Sequence, residues 1–423
     1  MNDDLTTDLT RTLSDQADRV HGSSLQLADV QTKARSIRRR RTTAAVVGVV
    51  AAVALIVPTA ALSSHHNDRA HDPGPATHSP TPTPTKTASD GHQPAKGVLD
   101  VSDLPTGAAP AMYYVDGGRL HFPDGGAGDL RTRYAPDQFV EMNDGSRVWH
   151  TSDNGTPYVE IQDSDGAFHD PVRSDWGLTV NPSHTAAAWL DPSGQVILWE
   201  ARATDPRPLG DPVPGSDLRL GPLIGEGVGA SGGSGPGCAV TACTVYVNVA
   251  DGPGQPWEVS DAGTRKALDG GYLSIADLSE AGLSIGLTKA TDSSTCSKLL
   301  GGGEFQGFST CQNQLTSFSP DGRLILALPS YFDGVGPGGI AMYDLDGTRL
   351  FERTSTEQAQ SYFTGATWED DTHVLAPAYQ DGKWALVRIG SDGSMEYAVA
   401  PATGPYDQSP FVLPTTSILA LTN

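Results

Sequence analysis

The chain has 423 residues, with 28 Lys and Arg against 50 Asp and Glu and a formal net charge of −22. Because binding to nucleic-acid phosphates requires a basic surface, this balance excludes a nucleic-acid-binding protein. The 48 glycines and 31 prolines disfavour a helical bundle and favour many short strands joined by turns.

Residues 1–41 predict a short helical arm that ends in a basic cluster. Every fourth residue from Leu5 to Ala17 is apolar, which is typical of one helix face. The layout resembles that of membrane-bound anti-sigma regulators, but the arm has no cysteine, which excludes the zinc-containing form of that domain. Two interpretations remain open: a solvated or membrane-skimming arm, and an element that docks on a cytoplasmic partner.

Residues 42–62 are uncharged and predict a single transmembrane helix. At about 1.5 Å per residue, a helix of this length spans the roughly 30 Å hydrocarbon core of a bilayer. Six basic residues lie between Lys33 and Arg41, and none follows the stretch until Arg69. The N-terminus is therefore expected in the cytoplasm, with the remainder outside the cytoplasmic membrane. A signal peptide cleaved near Thr59 is the alternative.

Residues 63–97 predict a disordered stalk. Their Pro-Thr repeats cannot build a core and favour extended polyproline II geometry. Five of the eleven histidines lie in this segment, but their irregular spacing does not match a defined metal site. We expect the folded domain over residues 98–423.

From residue 98 onward, short β-prone runs alternate with turn dipeptides. Twelve Asp-Gly or Asn-Gly pairs occur, and such pairs tolerate the positive φ angles of tight hairpins. The pairs at Asp144, Asn154 and Asp165 are 10 and 11 residues apart, as in up-and-down antiparallel strands. No helix-length segment separates the runs, so a parallel βαβ architecture is excluded.

A turn with a strand on each side recurs along this domain. Copies start near residues 143, 181, 276, 319 and 369, with gaps of 38, 95, 43 and 50 residues. The longest gap is about twice the others, which indicates an unrecognised copy near residue 228. A period of roughly 40–50 residues with four short strands per unit is typical of a β-propeller.

One blade is expected to combine both ends of this domain. A last copy begins near Asp407 and supplies the strand around 411–413, but only half a blade remains there. The missing strands have candidates at 112–115 and 119–122, on either side of a turn. We therefore predict an all-β propeller of seven blades, with six and eight as alternatives.

The run Phe318–Leu324 (FSPDGRL) resembles the strand-turn-strand signature of WD40-like and TolB-type propellers. The Ala-, Gly- and Arg-rich composition and the anchor-plus-stalk layout resemble actinobacterial membrane-anchored propeller proteins. This resemblance implies the propeller fold. Because the Gly-His and Trp-Asp pairs of true WD repeats are absent, it does not extend to the protein-scaffold role of that family.

All four cysteines lie beyond the predicted membrane segment, at Cys238, Cys243, Cys296 and Cys311. Four cysteines allow three pairings, and we expect the local one, Cys238–Cys243 with Cys296–Cys311. Each bond would close a loop within a blade. The spacings do not match a zinc site, and no pattern in the sequence predicts a metal or a cofactor.

Motifs that resemble catalytic signatures lack the required context. Residues 229–233 match G-x-S-x-G but lie in a glycine-rich run, whereas a nucleophile elbow needs a strand before it and a helix after it. Residues 225–230 match a loosened dinucleotide motif without a βαβ unit, and 163–166 lack the glutamate of a calcium loop. The acidic cluster at 369–371 is predicted to be a solvated loop. No catalytic residue is assigned.

The sequence therefore predicts a non-catalytic, membrane-anchored, extracytoplasmic propeller. Its expected partner is a protein or a cell-envelope ligand, with signalling through the cytoplasmic arm. One alternative is an extracytoplasmic hydrolase or lyase that acts on glycans or peptides, which would require convergent acid–base residues at the channel mouth. Another is a purely structural envelope protein. The choice depends on a site, since fold does not determine function.

Overall fold

The computed structural model describes residues 95–175, 177–225, 243–249, 255–266, 271–291, 293–301, 305, 307–332 and 336–415. The predicted cytoplasmic arm, the predicted transmembrane helix and residues 63–94 of the predicted stalk lie outside these ranges. Within the described ranges every regular element is a β-strand. Among those residues, no helix has the length and apolar character needed to cross a membrane.

Thirty strands occur in the described part of the chain. They are β1 (Ala95–Val98), β2 (Tyr114–Asp116), β3 (Arg119–His121), β4 (Ala127–Asp129), β5 (Ala135–Glu141), β6 (Arg147–Asp153), β7 (Thr156–Gln162), β8 (Val172–Arg173), β9 (Leu178–Val180), β10 (Ala186–Leu190), β11 (Val196–Glu200), β12 (Arg207–Leu209), β13 (Leu218–Ile224), β14 (Thr244–Val249), β15 (Trp257–Ser260), β16 (Gly263–Lys266), β17 (Ser274–Leu278), β18 (Ser284–Thr291), β19 (Ser294–Leu300), β20 (Ser309–Thr310), β21 (Asn313–Phe318), β22 (Leu324–Pro329), β23 (Gly339–Asp344), β24 (Arg349–Thr354), β25 (Tyr362–Phe363), β26 (Thr367–Trp368), β27 (His373–Gln380), β28 (Lys383–Gly390), β29 (Met395–Thr403) and β30 (Phe411–Val412).

These strands form seven sheets, the blades of a propeller, and the predicted all-β seven-bladed fold is confirmed. Blade 1 contains β30, β2, β3 and β4, and the following blades contain β5–β8, β9–β12, β13–β16, β17–β20, β21–β24 and β25–β29. Within blades 2 to 6 the strands β5 to β24 lie side by side in chain order, and β1 adds to the outer edge of blade 6. In blade 7 the first strand is split, and β25 and β26 both pair with β27. The copy predicted near residue 228 lies outside the described residues, between the paired strands β13 and β14.

Blade 1 combines the two ends of the domain, as predicted. Val412 pairs with Val115 and Phe411 with Asp116, which joins β30 to β2. The chain then continues to blade 2, where the N–H of Thr415 donates to the C=O of Phe139 at 2.7 Å. Hydrogen bonds and packing therefore close the ring without a covalent bond, which removes a pair of exposed sheet edges.

The core lies between the blades. The first and second strands of each blade are covered by neighbouring blades on both faces, so their sequences are apolar at consecutive positions. All five residues of β10, Ala186–Leu190, are buried. The largest fully buried side chains include Trp149, Trp189, Phe351 and Trp384. Burial of each such aromatic side chain contributes roughly 1.5–3 kcal/mol or more.

The outer sheet edges are short or covered. The outermost strands of blades 1 to 5 have two to four residues each. The six-residue strand β24 pairs in parallel with β1, and the longer β29 contains Pro401, which donates no N–H. The first described strand, β1, begins at Ala95 and overlaps residues 95–97 of the predicted stalk. The sequence Ala-Lys-Gly-Val lacks the alternation of polar and apolar residues that is typical of a strand. It forms a strand by pairing with β24, which is remote in sequence.

Glycine at position 97 leaves room for the Arg353 side chain where β1 packs on β24. A Cβ atom there would overlap the guanidinium of Arg353, whose Nη2 donates to the C=O of Gly393 in blade 7 at 2.7 Å. Arg353 thus crosses over β1 and connects blade 6 to blade 7. The first described strand is held between two blades by this contact.

A disulfide joins Cys296 to Cys311 within blade 5. Cys296 lies on β19 and Cys311 follows β20, so the bond closes the loop between the last two strands of that blade, as predicted. Cys243 is also disulfide-bonded. Its predicted partner, Cys238, lies outside the described residues.

Candidate binding site

Because neighbouring strands are antiparallel, the loops of each blade lie on two opposite faces of the propeller. The turns between first and second strands, such as 142–145, 181–184 and 279–282, define what we call the first-turn face. The turns between second and third strands and the connections between blades define the linking face. The inner strand of each blade ends at the first-turn face.

A cavity of about 360 Å³ opens on the first-turn face. This volume falls within the range of small-ligand sites, roughly 300–1,000 Å³. The lining residues come from three blades: Met112, Tyr113 and Pro414 from blade 1, Glu141, Met142 and Asn143 from blade 2, and His184 from blade 3. Since Met112 and Pro414 lie at opposite ends of the domain, the cavity forms only when the ring is closed.

The first turn of blade 3 differs from its equivalents at one position. In four blades the fourth turn residue donates its N–H to the C=O of the first and has a positive φ. This residue is Gly145, Gly282 and Gly322 in blades 2, 5 and 6, but His184 in blade 3, with φ of 54°. A side chain in this region costs on the order of 1 kcal/mol, which glycine avoids. The exception points to a role for the His184 side chain.

His184 links blades 2 and 3 and presents an acceptor to the cavity. Its Nδ1 lies 2.6 Å from the C=O of Glu141, and its own C=O accepts the N–H of Asn143 at 2.8 Å. A carbonyl can only accept, so Nδ1 carries a proton, and in the neutral imidazole Nε2 carries the lone pair. Among the described residues Nε2 has no hydrogen-bond partner, and neither does the exposed side-chain amide of Asn143.

The other polar group in the cavity, Glu141, is held by its own blade. Its carboxylate accepts from Nη2 of Arg147 at 3.3 Å, and the Arg147 guanidinium lies 4.8 Å from the centre of the Tyr113 ring. Burial raises the pKa of the Glu141 carboxyl, against the opposing effects of Arg147 and Tyr113. Burial, followed by the charge of Glu141, also raises the pKa of the Tyr113 hydroxyl.

We expect the Glu141→Gln variant to lose part of the pH dependence of stability. A carboxyl whose pKa is higher in the folded chain takes up protons on folding, so the parent loses stability as pH rises from the unfolded value near 4.5. The free energy of unfolding of the variant minus that of the parent should therefore increase with pH. Urea unfolding between about pH 4 and pH 7 measures it. Glu280→Gln, in the exposed equivalent turn of blade 5, is the control, and a flat or falling difference would contradict the assignment.

The arrangement favours binding of a molecule with an apolar body and hydrogen-bond donors. Met112, Met142, Tyr113 and Pro414 form the apolar wall. His184 and Asn143 are polar members of the same lining. None of the seven lining residues is a serine, cysteine or lysine nucleophile. Within the described residues, no three His, Cys, Asp or Glu side chains are placed to hold a metal ion.

A buried histidine, His150, pairs with the exposed carboxylate of Asp137 on the neighbouring strand. Nδ1 of His150 lies 2.5 Å from the carboxylate of Asp137, and Nε2 lies 3.2 Å from the C=O of Asp175. The His150 side chain is fully buried. Both ring nitrogens contact protein acceptors, so this pair connects strands in blade 2 and is not placed to reach a substrate.

The residues that the sequence analysis weighed as candidate functional or disulfide residues do not line the cavity. The disulfide Cys296–Cys311 lies in blade 5, and the glycine-rich motif at 229–233 lies outside the described residues. The prediction that residues 369–371 form a solvated loop is wrong for Glu369, because its side chain is only 2% exposed and pairs with Arg388. That burial depends on Arg388 and on the chain near residue 111, both remote in sequence.

The cavity residues were part of predicted strands and turns without a functional role. His184 lies in one of the aligned turn copies, and a comparison of those copies reveals a histidine where others have glycine. This was the one available signal. Met112, Tyr113 and Pro414 carry no comparable signal, because their contribution depends on ring closure.

No family model matches the chain, and no curated protein matches it either. Similar solved structures include YCF48 bound to D1 peptide (13% identity, 70% of this chain and 88% of that chain covered, TM-score 0.42). Others are a puromycin hydrolase mutant in complex with PGG (13%, 70% and 50%, 0.42) and the β-propeller domain of Cps50 (Swd1) from Myceliophteria thermophila (11%, 65% and 89%, 0.40). The propeller thus has WD40-type structural neighbours, and likenesses of this size concern the fold alone.

Proposed function

We propose that the protein is a membrane-anchored binding protein without catalytic activity. In this proposal residues 42–62 anchor it in the cytoplasmic membrane, residues 1–41 are available to a cytoplasmic partner, and the propeller lies outside. The cavity on the first-turn face takes a segment of a partner protein or a comparable cell-envelope ligand. A seven-bladed propeller is a rigid scaffold suited to protein interaction.

The observation that carries this proposal is the unpaired acceptor of His184 at the edge of a mostly apolar cavity. A peptide offers the complementary chemistry, an apolar side chain next to a backbone N–H donor. The side chain would contact Met112, Met142 and Pro414, while the N–H would donate to His184 Nε2. Groups that are polar on one side and apolar on the other fix the orientation of a bound ligand.

One further feature supports an outer location for the propeller. Disulfides persist mainly in oxidising compartments, and blade 5 contains one between Cys296 and Cys311.

A peptide-display selection on the full-length protein, followed by measurement of Kd, tests the proposal. We expect enrichment of peptides with a large apolar residue, and a roughly three- to ten-fold weaker Kd for the His184→Gly variant. Glycine suits the backbone of this turn, so the variant should fold. Met112→Ala tests the apolar wall, and Glu280→Ala in blade 5 is the matched control.

Two results would contradict the proposal. Selected peptides that bind the parent and both cavity variants equally would place the site elsewhere. Cleavage of bound peptides or glycans, detected by mass spectrometry and absent from a His184→Gly preparation, would favour the alternative of a hydrolase or lyase.

A further inference from the structure

A cluster of aromatic side chains lies on the linking face, where blade 7 connects to blade 1. The rings of Tyr362, Tyr379 and Trp384 contact one another, with centres 5.0 to 5.7 Å apart. Next to them Tyr406, on the connection from β29 to β30, is 58% exposed. It is the most exposed of the large apolar side chains in the described ranges.

The connection that carries Tyr406 is held by this cluster. The hydroxyl of Tyr362 donates to the C=O of Tyr406, and the indole N–H of Trp384 donates to the C=O of Pro405 at 2.7 Å. Both bonds hold the backbone and leave the Tyr406 ring in solvent. A ring presented from an ordered backbone binds a partner without the cost of ordering a loop.

Acidic groups flank the exposed ring. The N–H of Gly404 donates to the C=O of Gly382 at 3.2 Å, which places the turn of Asp381 and Lys383 next to the connection that carries Asp407. Asp381, Lys383 and Asp407 are all exposed. The local balance is negative, and the formal net charge of −22 adds attraction for a cation over longer distances.

We propose that Tyr406 and Asp407 form a second docking surface, opposite the cavity, for a basic segment of a partner protein that presents an arginine. The planar guanidinium stacks on the Tyr406 ring and donates to the Asp407 carboxylate, a geometry that a lysine ammonium does not reproduce. Tyrosine and arginine are both enriched among residues that dominate binding at interfaces. The complementary charges steer the encounter and set its specificity.

Full-length protein in a zwitterionic detergent and a fluorescent peptide of alternating arginine and glycine provide the test, read by anisotropy. Tyr406→Ala is expected to weaken binding about two- to five-fold, while Tyr406→Phe retains the affinity. Asp407→Asn is expected to weaken binding and to reduce its salt dependence. The matched lysine–glycine peptide is expected to bind more weakly and to respond little to Tyr406→Ala.

Two controls separate this surface from other sites. His184→Gly is expected to leave arginine-peptide binding unchanged, so the outcome is independent of the cavity. Tyr331→Ala removes another exposed tyrosine and is also expected to have no effect. Equal arginine-peptide affinity for the parent and Tyr406→Ala would overturn the proposal. It would also be overturned if an oligomer of N-acetylglucosamine, and not the arginine peptide, lost affinity with Tyr406→Ala, which would identify a glycan surface.

Discussion

Replacement of Arg388 by methionine is expected to lower the free energy of unfolding by about 3–5 kcal/mol, because it leaves a buried carboxylate without its partner. Arg388 on β28 donates to both oxygens of Glu369, at 2.5 and 2.8 Å, and to Glu396 at 2.5 Å. The Arg388 and Glu369 side chains are only 10% and 2% exposed. Hydrogen bonding to Glu369 is the main reason that the pKa of Arg388 lies above its ordinary value.

Arg388 also holds the chain segment that leads to the cavity. Its guanidinium donates to the C=O groups of Ala108 and Ala109, and Glu369 accepts the N–H of Ala111. The next residue, Met112, lines the cavity. We therefore expect Arg388→Met to weaken peptide binding as well as stability.

Urea unfolding of the parent and Arg388→Met, at neutral pH and with the disulfides oxidised, measures the first effect. Arg323→Ala is the matched control, because Arg323 is 82% exposed and its pairing with Asp321 is 3.5 Å long. An exposed pair of this kind contributes roughly 0–1 kcal/mol. A loss for Arg388→Met no larger than for Arg323→Ala would show that the buried ion pair does not stabilise the fold.

Replacement of Trp384 by alanine is expected to lower the free energy of unfolding by about 3–5 kcal/mol. The Trp384 side chain is fully buried, packs against Tyr362 and Tyr379, and belongs to a cluster that includes Phe411 of β30. Its removal leaves a cavity where blade 7 meets the closing strand of blade 1. Loss of packing at this place also weakens ring closure.

Two variants distinguish packing from hydrogen bonding at this position. Trp384→Phe keeps most of the packing and removes the bond to the Pro405 C=O, which is expected to cost about 1 kcal/mol. Trp257→Ala removes a partly buried tryptophan of blade 4 and should cost clearly less than Trp384→Ala. Chemical unfolding gives all three values, and equal losses for Trp257→Ala and Trp384→Ala would contradict the role assigned to the blade 7 cluster.

The turn chemistry of the sequence was sufficient to predict the fold class, the blade number and the closing blade. Asp-Gly pairs and the recurring turns mark the positions of hairpins from the local sequence. Because each blade contributes one copy of the turn, the spacing of the copies gives the number of blades. The same local reasoning placed Cys296 and Cys311 in one blade. The membrane segment and the cytoplasmic arm rest on sequence alone and stay predictions.

Only the tertiary structure decided where a site lies. The cavity joins Met112, Glu141, His184 and Pro414, which are about 300 residues apart at the extremes, and their proximity depends on the closure of blade 1 against blade 2. Burial of Glu369 and pairing of β1 likewise depend on remote partners, Arg388 and β24. Local sequence patterns determine which strands form, because the contacts of a hairpin are short-range. Whether a polar side chain is exposed or buried depends on residues remote in sequence, which come together only when the ring is complete.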